Sequence, residues 1–263
     1  MFLKMRILLF IKKYYIPIIL LLILFFHFIN NLLWLKLDNS LKSCDASGHL
    51  LKTVQYHIYI KNIIKSHPSF LGLIKELFSL FRMKYEISWP PLIYFLSFFI
   101  SPLYFDIFTI RLYVNFLFYF ILIISVYFLG KKCFNKRVGV FASFIVSFYP
   151  EIYGYSRQFG LDFPLAAMTS LCLCLLIYSD YFSRPFFSFF FGIALGVATL
   201  VKFEITFFLG FPLLYVVYKI ISEKKKNNRN ICLINLLGSI FISFLFFFFY
   251  WANKINLASQ HFL

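Results

Sequence analysis

Tyr14-Tyr-Ile-Pro-Ile-Ile-Leu-Leu-Leu-Ile-Leu-Phe-Phe-His-Phe-Ile-Asn-Asn-Leu-Leu-Trp-Leu35 is followed, after Lys36, by Leu37-Asp-Asn-Ser-Leu-Lys-Ser-Cys-Asp-Ala-Ser-Gly-His49. A bilayer core of ~30 Å takes about 20 helical residues, and the first stretch supplies them. Lys4, Arg6, Lys12 and Lys13 precede it, and no small-x-small cleavage site closes it. It reads as an uncleaved anchor with its basic flank in the cytoplasm. The second stretch opens the only sizeable hydrophilic loop, Lys36–Pro91, and sets Asp38, Asp45 and His49 beside the membrane surface. A carboxylate at that boundary suits a general base that meets one substrate from water and another from lipid. The alternative is plainer: solvated loop carboxylates, with His49 capping a helix.

Working outward, the rest of the chain continues the membrane pattern. Of its 263 residues 62% are hydrophobic and mean hydropathy is +0.83, which places it in the membrane class rather than among soluble domains. The net charge is +16, but the cations cluster between apolar runs, a pattern of lipid headgroups and topology rather than nucleic acid. Five scattered cysteines, Cys44, Cys133, Cys172, Cys174 and Cys232, give neither a disulfide framework nor zinc spacing.

Within the loop, Leu50, Leu51, Val54, His57, Ile58 and Ile64 recur near helical spacing, and Phe70, Leu71, Ile74, Leu77, Phe78 and Phe81 repeat the pattern. Two amphipathic helices lying on the membrane surface fit this; solvent-facing helices on a small outer core are the alternative. Trp89-Pro90-Pro91 turns the chain into Leu92–Phe105, short for a span and broken by Pro102, hence a re-entrant or interfacial helix. Further spans are expected at Ile107–Gly130, Val138–Tyr153, Phe163–Tyr178, Phe186–Val201, Ile205–Ile220 and Ile231–Trp251. The predicted fold is therefore an all-α polytopic transmembrane bundle of about seven spans, one module over residues 1–263, with 36–91 as a long amphipathic first outer loop. The basic connections after Gly130 and Ile220 fall inside with the amino terminus. Of the 10 Asp and Glu, only Asp180 and Glu223 join them there.

On this topology Asp45, His49, Arg157, Asp162, Lys202 and Glu204 all reach the outer ends of spans. Ionisable groups so close to lipid tend to face a bundle interior or a wet cavity. Mixed signs then suggest cations for a phosphate and a carboxylate for proton abstraction. Against this, Arg157 with Asp162, and Lys202 with Glu204, could simply mark helix ends and neutralise each other. Asp45, His49 and Asp162 could also donate to a divalent metal, though their spacing names none. A nucleophile elbow, a Gly-rich phosphate loop and an HExxH zinc motif are all missing. Gly192-x-x-x-Gly196 reads as a close-packing helix face.

Several of these pieces, in order, resemble the amino-terminal part of the GT-C membrane glycosyltransferases. The nearest pattern is that of protein O-mannosyltransferase-like and aminoarabinose-transferase-like enzymes. They are Asp45-Ala-Ser-Gly-His49, Trp89-Pro90-Pro91-Leu92, Arg111-Leu112, Pro150 with Tyr155-Ser156-Arg157, Asp162-Phe163-Pro164-Leu165, and Gly192-Ile-Ala-Leu-Gly196-Val-Ala-Thr-Leu-Val-Lys202. The resemblance implies a multi-pass enzyme of the cell (plasma or inner) membrane, amino terminus cytoplasmic. Such an enzyme moves a sugar from a polyprenyl-phosphate donor to a lipid, glycan or protein acceptor on the outer face. It implies inverting displacement, with Asp45 as the base for the acceptor. Lys202 and Arg157 would stand at the donor phosphate, and Asp162 would shape the site or help hold a divalent ion. Where the family often carries Asp-Glu, this chain has Asp45-Ala46, one loop carboxylate fewer. Longer members continue with more spans and usually an acceptor-selecting outer domain. A non-catalytic reading, as a truncated or split subunit or a polyprenyl-lipid carrier, therefore stays open.

Overall fold

The structure, a computed structural model, describes residues 2–38, 40, 44–66, 90–101 and 106–261. These form ten helices and, among the described residues, no strand. In chain order they are α1 (Phe2–Leu37), α2 (Cys44–Ser66), α3 (Leu92–Ile100), α4 (Ile107–Cys133) and α5 (Lys136–Phe148), then α6 (Pro150–Tyr155), α7 (Asp162–Tyr178), α8 (Pro185–Thr199), α9 (Ile205–Ile221) and α10 (Lys226–His261). The second amphipathic stretch expected at 70–81 lies outside the described residues, as do Trp89 and Pro102.

Three helical segments are long and apolar enough to cross a bilayer: Tyr14–Leu37, Ile107–Cys133 and Lys226–Phe248. Between them α7, α8 and α9 are apolar and 17, 15 and 17 residues long, at or just under the lower limit of about 17 for a span. The expected span Val138–Tyr153 is divided instead. Pro150 lacks an N–H and disfavours helix at the residue before it, so Tyr149 is extended and α6 restarts the helix with Pro150 in its first turn.

Local chemistry sets the other ends. Asp106 caps α4 by accepting from the N–H groups of Phe108 and Thr109. Asn135 caps α5 by accepting from Arg137 and Val138, each cap being worth ~1 kcal/mol. Central α4 packs on α1, α3, α5 and α7, and α8 packs most extensively on α10. The core along α4 and α7 includes Phe118, Tyr119, Leu122, Phe163, Ala167 and Cys172. Elsewhere large apolar side chains stand exposed, among them Leu21 and Phe25 on α1, Phe211 on α9 and Ile234 on α10. Rows of that size belong in lipid, and the chain is a membrane protein.

The glycine pair behaves as its spacing suggests. A Cβ on Gly192 would stand 2.7 Å from the Ser239 carbonyl oxygen, and one on Gly196 would stand 2.5 Å from the Phe246 ring. Only glycine lets α8 and α10 approach this closely, and the Ser239 hydroxyl donates to the Ser188 carbonyl at 2.7 Å across the same seam. Helix α2 lays Tyr56, Ile60 and Ile63 against Tyr94 and Phe98 of α3 in a small separate core, leaving Leu51, Ile58 and Ile64 exposed.

Candidate functional site

The turn Ser156–Leu161 between α6 and α7 forms one wall of a cavity, and polar residues inside the spans hold its backbone. Asn115, on α4, donates to the carbonyls of Ser156 at 2.9 Å and Gln158 at 2.8 Å. One turn earlier Arg111 donates to the Arg157 carbonyl at 3.0 Å. From α1, Asn31 reaches the Ser156 hydroxyl oxygen at 3.3 Å. The three consecutive carbonyls of Ser156, Arg157 and Gln158 thus each accept from a side chain of the spans, which fixes the turn against the bundle.

The cavity measures about 300 Å³ and opens at the end of the bundle where α1 finishes and α2 and α7 begin. Asp45 and His49 line it from α2, Gln158 and Phe159 from the turn, Asp162 and Phe163 from α7, and Lys202 from the α8–α9 connection. Asp45 and Asp162 each sit in the first turn of a helix, where the amide dipoles favour a carboxylate. Lys202 donates to Asp162 at 2.9 Å and lies 3.6 Å from Glu204. Partial burial works against the Lys202 ammonium, but the hydrogen bond and charge of Asp162, with Glu204 behind them, hold its pKa above the ordinary lysine value. His49 is buried, and its Nδ1 meets the Tyr94 hydroxyl at 2.8 Å. Tyr94, itself buried, stacks on Tyr56 with ring centroids 5.4 Å apart. Burial first, and then the Lys52 charge, push the His49 pKa below its usual value, against the opposing pull of Asp45 and Asp162. The imidazole is therefore neutral at pH 7.

Of the six residues expected at the site, four meet around one cavity: Asp45, His49, Asp162 and Lys202. Glu204 joins them through Lys202. Arg157 is placed differently. Its guanidinium stacks 3.9 Å from the Tyr153 ring centroid and 4.5 Å from that of Trp34, and it donates to the side-chain oxygens of Asn30 and Asn31. Those partners place it behind the wall, among residues of α1 and α6, rather than in the cavity lining. Asn115 and Tyr94 carry no weight in a reading by motif, and Arg111 enters it only as part of Arg111-Leu112, without a role at the site. Their signal is the burial of polar groups within apolar runs, with Arg111 and Asn115 four apart on one helical face. Among the described residues no three His, Cys, Asp or Glu side chains are grouped to hold a metal ion. Asp45, His49 and Asp162 share a cavity without forming a ligand set, so no step below runs through a metal.

The sequence profile of the dolichyl-phosphate-mannose-protein mannosyltransferase family matches residues 88–251, well over half of the chain. The matched stretch includes Arg157, Asp162, Lys202 and Glu204, while Asp45 and His49 precede it. No curated protein and no solved structure matches the chain. The chain belongs to the dolichyl-phosphate-mannose-protein mannosyltransferase family, which points to glycosyltransferase chemistry in a membrane.

Proposed function

We propose that this member of the family moves a sugar from a polyprenyl-phosphate donor to an acceptor hydroxyl on the extracytoplasmic side of the membrane. The observation that carries the reading is the convergence of Asp45, His49, Asp162 and Lys202 on one cavity, although Asp45 and Lys202 are far apart in the chain and on separate elements. One cavity then holds an exposed carboxylate and an ammonium, the two charges a displacement at an anomeric carbon calls for.

In the proposed step Asp45 takes the proton of the acceptor hydroxyl as its oxygen attacks the anomeric carbon. The bond from that carbon to the phosphate oxygen breaks, its electron pair leaves with the polyprenyl phosphate, and the configuration inverts. Lys202 neutralises the phosphate. In the resting state Asp162 and Glu204 hold that ammonium charged and aimed, and the donor phosphate takes over part of its coordination. His49, held by Tyr94, stays neutral and presents a hydrogen-bonding ring to the sugar without adding charge beside the base. Arg157 supports the wall through its stack on Tyr153 and Trp34.

The test uses membranes containing the full chain, supplied with radiolabelled mannose on polyprenyl phosphate or, separately, on a nucleotide. Transfer from the lipid-linked sugar alone supports the reading. Transfer from the nucleotide sugar alone contradicts it, and binding of the lipid without transfer favours a carrier.

A further inference from the structure

A second cavity, of about 470 Å³, lies at the opposite end of the bundle, between the ends of α7 and α9 and the start of α10. The 17 residues of α7 set it ~25 Å from the transfer site. Its lining carries both signs of charge, Asp180 and Glu223 against Lys219, together with the apolar side chains of Ile220, Ile231 and Cys232. The volume is in the range of small-ligand sites.

The turn that supplies Asp180 is strained. Asp180, Tyr181 and Phe182 take φ values of 51°, 56° and 64°, three successive non-glycine residues in the left-handed region. Side chains visit that region singly and at a cost, so a run of three persists only where its surroundings impose it. Here Phe182 is fully buried, its N–H donates to the Ser179 hydroxyl at 3.2 Å, and its carbonyl accepts from Asn235 on α10 at 2.8 Å. Anchoring Phe182 leaves Asp180 and Tyr181 exposed at the cavity rim. Tyr181 faces Tyr215, with ring centroids 6.5 Å apart, and the Lys219 ammonium lies 5.5 Å from the Tyr215 ring. Beside the mouth, Tyr218 and Ile221 of α9 and Ile234 of α10 are exposed apolar side chains of the kind that meets acyl chains.

We infer that this cavity binds the zwitterionic headgroup of a phospholipid bearing a primary ammonium, as in phosphatidylethanolamine. The ammonium donates to Asp180 and Glu223, and the phosphate pairs with Lys219. The acyl chains run along the exposed face of α9 and α10. A quaternary ammonium has no N–H to donate, and an anionic headgroup brings no ammonium for Asp180 and Glu223, so both fit less well. This holds independently of the chemistry at the other end.

Full-length protein purified in detergent is mixed with equal amounts of phosphatidylethanolamine, phosphatidylcholine and phosphatidylglycerol of identical chains. Bound lipid is counted by native mass spectrometry, and thermal unfolding of every variant certifies its fold. Phosphatidylethanolamine is expected to be retained roughly tenfold over the other two, about what one hydrogen bond to a charged group supplies. Glu223→Gln and Asp180→Asn remove that preference; asparagine keeps the left-handed backbone accessible. Lys219→Gln lowers retention of both zwitterionic lipids, whereas Lys132→Gln, outside the cavity, changes nothing. Equal retention of all three lipids, a preference for phosphatidylglycerol, or an unaltered preference in folded Glu223→Gln protein would overturn the inference. Displacement of the lipid by soluble phosphoethanolamine at equal concentration would overturn its lipid part and assign a soluble zwitterion.

Discussion

Replacing Asn115 by leucine tests whether the cavity wall is held from within the spans. The substitution roughly conserves volume and removes both donors aimed at the turn, at 2.9 Å to Ser156 and 2.8 Å to Gln158. Each such bond contributes ~0.5–1.5 kcal/mol net, and measured averages inside membranes lie near 0.6. The Ser156 carbonyl keeps a long contact with Asn31 at 3.4 Å. The Gln158 carbonyl, part-buried beside the open cavity, loses the Asn115 donor. Together the two lost bonds give ~1–3 kcal/mol, a Tm lower by roughly 2–12 °C for a chain of this size. Thermal unfolding of the purified protein measures it. Phe120→Leu, at an exposed position of the same helix, is the reference. Because the turn lines the cavity, transfer should fall in Asn115→Leu even below its melting temperature. A Tm and a transfer rate matching those of Phe120→Leu would refute the clamp.

Three further outcomes follow from the same geometry. Gly192→Leu drives a side chain into the Ser239 backbone and should destabilise the α8–α10 seam by ~1–3 kcal/mol, while Gly210→Leu, with open space around it, should leave the Tm near that of the parent. His49 titrates lower in the folded protein than in the unfolded chain, so as pH falls through about 6.5 the unfolded chain takes up the proton first. Stability is therefore full above that pH and declines below it, and His49→Gln should flatten the Tm–pH curve between pH 7 and 5; an unchanged slope would remove His49 as its source. Reporter fusions after Arg137, Arg184 and Arg229 should signal cytoplasm, and fusions after His49 and Gly160 the outside. An outside signal after Arg137 would contradict the proposed orientation.

The elements that could be read in advance are those fixed by hydropathy and by single residues. The spans of α1, α4 and α10 announce themselves by length, and Gly192 and Gly196 by their spacing, whereas the break at Pro150 inside the expected span Val138–Tyr153 is seen only in the fold. The candidate site is half legible for a related reason. Charges at span ends have few places to go, so placing Asp45, His49, Asp162 and Lys202 on one face already brings them near each other. What stays hidden depends on tertiary distance. Nothing local tells that Arg157 is captured by Asn30 and Asn31, more than a hundred residues earlier, rather than turned to the cavity. Nor does sequence show that His49 is held by Tyr94, from a helix on the far side of the loop. Arg111 and Asn115 are intermediate. Polar residues inside an apolar run signal a buried partner, but only the fold reveals that the partner is the backbone of Ser156–Gln158.

The most direct measurement of the central claim compares wild type with Asp45→Asn for donor binding and sugar transfer in the same membranes. Asparagine keeps size and polarity but cannot take the acceptor's proton. Transfer should drop about 10²–10⁴-fold, the contribution of a general base, while the polyprenyl-phosphate sugar binds as before. Lys202→Ala should show the reverse balance, with weakened donor binding, because the ammonium held by Asp162 and Glu204 is gone. Equal transfer by Asp45→Asn and wild type would contradict the account.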